Sequence, residues 1–316
     1  MKNYDVTVLV VIYFPAWKKL KSTLLSIVCQ KDVSFEIIVS DDGSEVDFFD
    51  DIERFFTEQG FSDFKLIKNI KNLGTVNNYY NALCQAQGEY TYGISPGDML
   101  YDEYTLSDLY SFSKQNEISV CFGDAIYYNL QGDKVNVVKK RHYVPRRPWI
   151  YTDKTSLDVM KYFFFYDNFI LGATFFRRTD VAIKYIGKIK DLSRYVEDNT
   201  STAFMLADGL RVIHFDKYVV WYEYGEGIST SSDNKWGKLL DADLNNSFDE
   251  LRQRYPNDKV INTLLQSRHY RRFYQKIYLL LNVPRLFLRK LIIKFTPMST
   301  KTLEYDVSIL QRYING

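Results

Sequence analysis

Residues 6–12 are an unbroken apolar, largely β-branched run, the mark of a central strand buried on both faces. Residues 17–30 follow with Leu20, Leu24, Ile27 and Val28 at helical spacing. The alternation recurs. Residues 35–40 read as a second strand, Phe48, Ile52, Phe55 and Phe56 mark a helix, and 64–67 read as a third strand; a helix over 75–86 and a strand over 90–94 come next. Strands alternating with helices at this spacing predict right-handed crossovers and a largely parallel sheet covered by helices on both sides. Ligands of such a sheet bind beyond the carboxyl ends of its strands.

The rhythm changes after a strand over 119–124. Residues 126–129 and 134–138 flank Leu130-Gln-Gly-Asp, a hairpin turn signal. The basic stretch 139–148 carries Pro145 and Pro148, which lack amide donors, so it is expected as a loop facing solvent or substrate. Residues 172–177 and 211–215 are predicted strands, with a helix over 198–207 between them. The run Tyr162-Phe-Phe-Phe-Tyr reads as a buried helix face or as a groove for an acceptor lipid.

From Lys235 onward the pattern is mostly helical, and no acid occurs between Asp258 and Glu304, while Arg268, Arg271, Arg272, Lys276, Arg285, Arg289, Lys290 and Lys294 recur. On a helix starting near Arg285, Phe287, Leu288, Leu291, Ile292 and Phe295 share one stripe. An apolar stripe with a basic remainder suits a helix lying on an anionic membrane surface; it also suits a helix packed on the main domain with a solvated cationic face. The expected division is therefore a catalytic domain over 1–232 and a helical basic region over 233–316.

Composition narrows the class. With 316 residues, 46% hydrophobic and 25% charged, the chain can bury a full core. A net charge of +2 from 41 basic and 39 acidic residues argues against a surface devoted to nucleic acid, which is not expected as a partner. Cys29, Cys84 and Cys121 are widely spaced, so neither a zinc knuckle nor a disulfide framework is predicted. The first strand starts too early for a signal peptide, and no apolar run reaches the roughly 18 residues that span a bilayer. A cytoplasmic protein is expected.

Three acidic sites stand where such a sheet presents its ligands. Ser40-Asp41-Asp42-Gly43-Ser44 closes the second strand, and alternation sends one carboxylate into the cleft and ties its neighbour to backbone or helix. The facing acid suits a base imide or a ribose hydroxyl; an ordinary Asp-Gly turn explains the motif equally. Asp98, in Ile94-Ser-Pro-Gly-Asp, follows the fourth strand and offers the oxygen ligand that a hard divalent cation takes, or is a loop acid. Glu197 and Asp198 sit at a predicted helix start, where one takes a proton from an acceptor hydroxyl or Asp198 merely caps the helix. His142, His214 and His269 have no metal-ligand spacing, and His214 is expected in a core or edge role. Trp149 and Trp221 are the aromatic candidates for sugar stacking.

The order of these sites resembles the inverting nucleotide-sugar glycosyltransferases known as family 2, which have the GT-A fold. The resemblance covers about residues 5–232. It rests on the apolar first strand ending at Tyr13, on Ile-Ile-Val-Ser-Asp-Asp-Gly-Ser at 37–44, and on Asn72-Leu-Gly74 followed by Asn78 and Gly88-Glu-Tyr90. It continues through Ser95-Pro-Gly-Asp98, Gly172-Ala-Thr-Phe-Phe-Arg177-Arg178, Glu197-Asp198 and Tyr222-Glu-Tyr-Gly-Glu-Gly-Ile-Ser-Thr230.

The resemblance implies that Asp42 binds the nucleotide base with Tyr13 beside it, with Asp41, Gly74 and Asn78 in the same nucleotide site. It implies Asp98 as the metal residue, for Mn2+ or Mg2+, and Asp198 as general base supported by Glu197. The implied donor is a UDP-sugar, with dTDP- and GDP-sugars as alternatives. The implied acceptor is a glycan or an undecaprenyl-diphosphate-linked acceptor, at the inner face of a bacterial membrane during surface polysaccharide or O-antigen synthesis. The chain departs from the family pattern twice. Ser95-Pro96-Gly97-Asp98 stands where an Asp-x-Asp is usual, and Tyr79 stands where many members carry an arginine. Alternatives to a transferase are a sugar nucleotidyltransferase, for which the glycine-rich, lysine-bearing loop is missing, and a noncatalytic binding homologue.

Overall fold

The computed structural model describes residues 4–132, 134–138, 144–166, 169–226, 234–295 and 304–316. The chain begins with β1 (Tyr4–Ile12), α1 (Trp17–Val28), β2 (Phe35–Asp41), α2 (Phe49–Glu58), β3 (Phe64–Lys68), α3 (Thr75–Leu83) and β4 (Gly88–Ile94), the alternation that the apolar runs predict. Then come β5 (Met99–Leu100), α4 (Thr105–Gln115), β6 (Val120–Gln131), β7 (Lys134–Val137), α5 (Leu157–Tyr166), β8 (Phe175–Arg178), α6 (Thr179–Ile189), α7 (Glu197–Ala207) and β9 (Ile213–Glu223). The chain closes with α8 (Asn234–Arg254), α9 (Lys259–Ser267), α10 (Arg272–Asn282), α11 (Pro284–Phe295) and α12 (Val307–Asn315).

The strands form one sheet in the order β3-β2-β1-β4-β8-β6-β9-β5, with β7 paired to β6. β1 lies between β2 and β4 in parallel register, Ile12 beside Asp41 and Val10 beside Ile94. The ends of three strands therefore meet at one rim, where the connections diverge to either side of β1. Parallel pairing is confined to β3-β2-β1-β4 and to β6-β9; β8 runs antiparallel to both β4 and β6, so the far half of the sheet is mixed.

Alternation along β1 feeds two cores. Val6, Val8 and Val10 pack under α1, α2 and α4, while Leu9 faces the side covered by α3, α5, α6 and α7. Burying side chains of this size stabilises by about 1.5–3 kcal/mol each. The second core extends into α8 and α9 through Leu244, Phe248, Leu251, Ile261 and Leu264.

Several expectations need correction. Residues 126–129 are not a separate strand: they continue β6, which pairs with β7 through Gln131 and Lys134. Residues 172–174 form a 3-10 turn, and β8 begins only at Phe175. Residues 211–212 precede β9, which starts at Ile213 and runs on to Glu223. Trp221 is fully buried, and its indole N–H donates to the Tyr101 carbonyl at 3.0 Å, so it is a core residue and not a sugar platform. The 162–166 run lies in α5, where Tyr162 to Phe165 are buried, the helix-face reading. Phe287 packs against the core instead of sharing an exposed stripe, and the exposed apolar side chains lie on both α10 and α11. The three cysteines are free. Residues 139–143 of the basic loop and 227–233 of the closing motif fall outside the described residues.

Candidate active site

A cleft of about 800 Å³ opens at the rim where β1, β2 and β4 end, within the size range of small-molecule sites. Its lining includes Tyr13, Asp42, Lys19, Asp98 and Glu223 together with Tyr79, Arg177, Glu197 and Asp198, and α8 contributes Leu240, Asp241 and Leu244.

Tyr13 follows β1 and is half exposed, its ring edge-on to Phe14 at 4.8 Å, a free aromatic face at the cleft mouth. The two acids after β2 separate as strand alternation requires. Asp41 does not line the cleft: its Oδ1 accepts from the backbone N–H and the hydroxyl of Ser44, at 3.1 and 2.6 Å, and holds the turn. Asp42 does line it. Its Oδ1 accepts from Leu73 N–H at 2.8 Å and Asn69 Nδ2 at 3.1 Å, and its Oδ2 accepts from Gly74 N–H at 2.9 Å. Burial raises the Asp42 pKa against the pull of these donors. Asn78, 2% exposed, donates to the Ser40 carbonyl at 3.0 Å and accepts from the Ser40 hydroxyl at 2.6 Å, tying α3 to β2. Gly74 stands outside the cleft lining with φ of 88°, and a Cβ there would meet Arg194 Cγ at 2.3 Å.

The turn bearing Asp98 is pinned from three sides. Thr23 of α1 accepts from Gly97 N–H at 3.0 Å and donates to the Asp98 carbonyl at 2.7 Å, and Tyr128 of β6 donates to the Gly97 carbonyl at 2.6 Å. Asp98 Oδ1 accepts from Glu223 N–H at 3.0 Å. Glu223 itself ion-pairs with Lys19 at 2.9 Å, and Glu226 stands 3.4 Å from the same ammonium. Burial, aided by the charge of Glu223, pushes the Asp98 carboxyl up to about 8. Asp98 and Glu223 offer hard carboxylate oxygens of the kind that a divalent cation takes. Among the described residues the compact three-ligand group is instead Asp124, His214 and Asp216, within 4.8 Å of one another and outside the cleft. His214 lies on β9, its side chain 6% exposed and its Nε2 3.2 Å from Asp124.

Glu197 and Asp198 open α7, where unpaired backbone amides favour negative charge. Asp198 Oδ1 accepts from Asn199 N–H at 2.6 Å, and Gly172 leaves room for the other oxygen, since a Cβ there would stand 2.9 Å from Oδ2. Burial, then the neighbouring Asp198 charge, push the Glu197 carboxyl up to about 7 against the opposing charge of Arg177. Asp198 is raised by burial, again opposed by hydrogen bonds and Arg177.

The rim thus gathers Tyr13, Asp42, Asp98, Glu197 and Asp198 and leaves Asp41 and Gly74 beneath it. Sequence reasoning missed Lys19, which reads as an ordinary polar helix position, and the cleft roles of Arg177 and Glu223, which it quoted only as parts of motifs. It also missed α8 as part of the wall.

A profile described as "Glycosyl transferase family 2" matches residues 7–179, more than half of the chain. The chain belongs to glycosyl transferase family 2, and it is a glycosyltransferase. No curated protein sequence matches it. Among solved structures it is similar to Pyrobaculum calidifontis mannosyltransferase PcManGT in complex with GDP-Man and Mn2+, with a TM-score of 0.59 and 14% identity over 99% of this chain and 86% of that one. It is also similar to residues 1–349 of S. aureus TarS in complex with UDP, with a TM-score of 0.55 and 18% identity over 98% of this chain and 78% of that one. The same TarS fragment in complex with UDP-GlcNAc matches at a TM-score of 0.54 and 17% identity, over 98% and 79% of the two chains. At these identities the likeness defines the fold, which is GT-A.

Proposed function

We propose that this enzyme transfers a sugar, with inversion, from a nucleoside diphosphate to a hydroxyl of a lipid-linked glycan. The observation that carries the reading is the pair of partly buried acids at the start of α7, which line the same cleft as Lys19, Asp98 and Glu223. Asp198 takes the acceptor hydroxyl proton while that oxygen attacks the anomeric carbon. The bond from that carbon to the diphosphate oxygen breaks, and its electron pair leaves with the diphosphate. One displacement inverts the centre and needs no covalent intermediate. Tyr13 and Asp42 flank the base, and Asp41, Gly74 and Asn78 hold the surrounding loop and helix.

Asp98 with Glu223 would hold Mn2+ or Mg2+, which when bound offsets the charge of the departing diphosphate. Lys19 contributes positive charge in the same cleft. A UDP-sugar is the favoured donor, in keeping with the UDP and UDP-GlcNAc bound by TarS; the GDP-Man bound by PcManGT keeps a guanine donor as the rival. A thermal-shift panel of UDP, dTDP and GDP with and without Mn2+ tests the donor class, and selective stabilisation by UDP is expected. Retention of configuration in the product, read by NMR, would overturn the inverting reading.

The acceptor assignment draws on the C-terminal helices, within the proposed basic region 233–316. Phe273, Tyr274, Leu281, Leu288 and Ile292 are each at least half exposed, on a stretch that carries six arginines and lysines from Arg271 to Lys290 and no acid. No helix among the described residues is long and apolar enough to cross a membrane. Apolar insertion together with about 1 kcal/mol per basic side chain supports docking on an anionic surface, the inner face of a bacterial membrane. Sedimentation with vesicles containing phosphatidylglycerol and not with phosphatidylcholine alone is the expected result; L281D with I292D should abolish it. Equal binding to both vesicle types would reject the electrostatic part.

A further inference from the structure

Arg177 is the buried cation of the cleft that the mechanism has not used. Antiparallel pairing places it opposite Thr91 of β4 and Val120 of β6, and alternation turns Phe176 to one core and Phe175 and Arg177 to the other, toward α3 and α7. The residue is 2% exposed and its guanidinium lies 4.3 Å from the Phe175 ring centroid. Nε and Nη2 are both buried and neither has a hydrogen-bond partner. A buried guanidinium left in this state is costly unless it serves a charge nearby.

Two candidates for that charge exist: a donor phosphate or the acids of α7. Nε and Nη2 are shut off from the surface, which disfavours a ligand in the cleft as their partner, whereas Glu197 and Asp198 line the same cleft and lie close enough to feel the charge. The other titratable groups lining the cleft are Tyr79 from α3, Tyr195 before α7, Asp241 from α8, and Tyr13, Asp42, Asp98, Tyr222, Glu223, Glu226 and Lys19. Lys19 is engaged by Glu223 at 2.9 Å, so among the described lining residues Arg177 is the cation left to the α7 acids. Tyr79, standing where many family members have arginine, places only a neutral phenol beside it.

The geometry assigns Arg177 as the positioning residue of the tandem acids: its guanidinium is the counter-charge that orients Glu197 and keeps Asp198 ionised, ready to accept the proton. This rests on the reading of Asp198 as the base. Without the counter-charge, one of two adjacent, partly buried carboxylates is held protonated near neutrality, and the base is lost to protonation.

The test is a carboxyl 13C NMR titration of the full chain between pH 5 and 9, with the pair's signals identified by their loss in E197Q and D198N. In R177Q, which keeps the length and loses the charge, the midpoints should rise by about one unit or more; in R177K, which keeps the charge, they should stay nearer wild type. Unchanged midpoints in R177Q would overturn the assignment, as would unchanged midpoints with a tenfold loss of UDP affinity, which would make Arg177 a phosphate ligand. If neither variant folds, the wild-type Arg177 Nε–H signal decides: it should move with the titration of the pair, and a signal indifferent to pH from 5 to 8 would refute the coupling. Full transfer activity in D198N would instead remove the base reading and leave the electrostatic measurement standing.

Discussion

Two acid pairs line one cleft, one buried and one partly buried, each with one cation, and they differ in how that cation is held. At the Asp98–Glu223 pole, Lys19 touches Glu223 at 2.9 Å. At the Glu197–Asp198 pole, Arg177 makes no hydrogen bond through Nε or Nη2, and its charge opposes the rise of both carboxyls. Lys19 is engaged by Glu223, while burial, aided by the Glu223 charge, raises the Asp98 carboxyl beside it to about 8. A cation held back leaves both α7 carboxylates able to take and release a proton, as a base must. In the proposed mechanism the same ingredients would make one pole for binding diphosphate and one for moving a proton.

Substituting one acid from each pole should break this contrast most sharply. D198N should lower transfer by about 10²–10⁴-fold with UDP affinity within about twofold of wild type, because the base acts in the transition state. D98N should show the opposite balance, with weakened nucleotide binding in calorimetry as the leading effect. Loss of nucleotide affinity in D198N would merge the two poles. The next largest effect is expected from K19M, which strips the cation from the binding pole and leaves Glu223 facing a diphosphate; UDP affinity should fall by about tenfold, in line with losing a desolvated charge contact. K19R should recover most of it.

The pH dependence of stability sharpens the comparison further. The Glu197 carboxyl rises from 4.5 to about 7 on folding, so between those values the native protein binds more protons than the unfolded chain. Stability must then fall as pH rises through that window. E197Q removes the titrating group and should flatten this part of the profile, measured as urea midpoint against pH. The contribution of Asp98, which has the same sign and extends to about 8, should remain. An unaltered slope in E197Q would place the titration elsewhere.

Much of the rim was legible because strand ends are local events. The apolar run of β1 and the Asp-Asp-Gly-Ser turn after β2 each announce themselves within a few residues, and the acids that follow β4 and open α7 are equally local, so a parallel sheet brings them together by topology alone. Alternation likewise foresaw that one of Asp41 and Asp42 would face the cleft. What stayed hidden depends on register between distant strands. Glu223 reaches Asp98 only because β9 pairs with β5 and β6, and Arg177 joins Glu197 in the cleft lining only because β8 runs antiparallel beside β4. Nothing in the spacing of a helical stripe reveals which face meets the core, and so Phe287 was placed with Leu288 and Ile292 although it packs inward.

The smallest expected effect comes from Tyr79, the neutral neighbour of Arg177. Its ring fills the space above Gly93, where a Cβ would stand 2.7 Å from the Tyr79 Cε2, so the aromatic body is a packing element that Y79F preserves. Only the hydroxyl is removed, which has Arg177 and Thr91 as its polar neighbours. Losing one neutral partner beside a buried group costs about 1 kcal/mol, and a phenol carries no charge that would repel or attract the α7 carboxylates. Y79F should therefore lower thermal stability slightly while leaving the Glu197–Asp198 midpoints near wild type. A shift in those midpoints as large as that of R177Q would mean that the phenol, rather than the guanidinium, sets the protonation of the pair, and the contrast between the two poles would then rest on hydrogen bonding instead of charge.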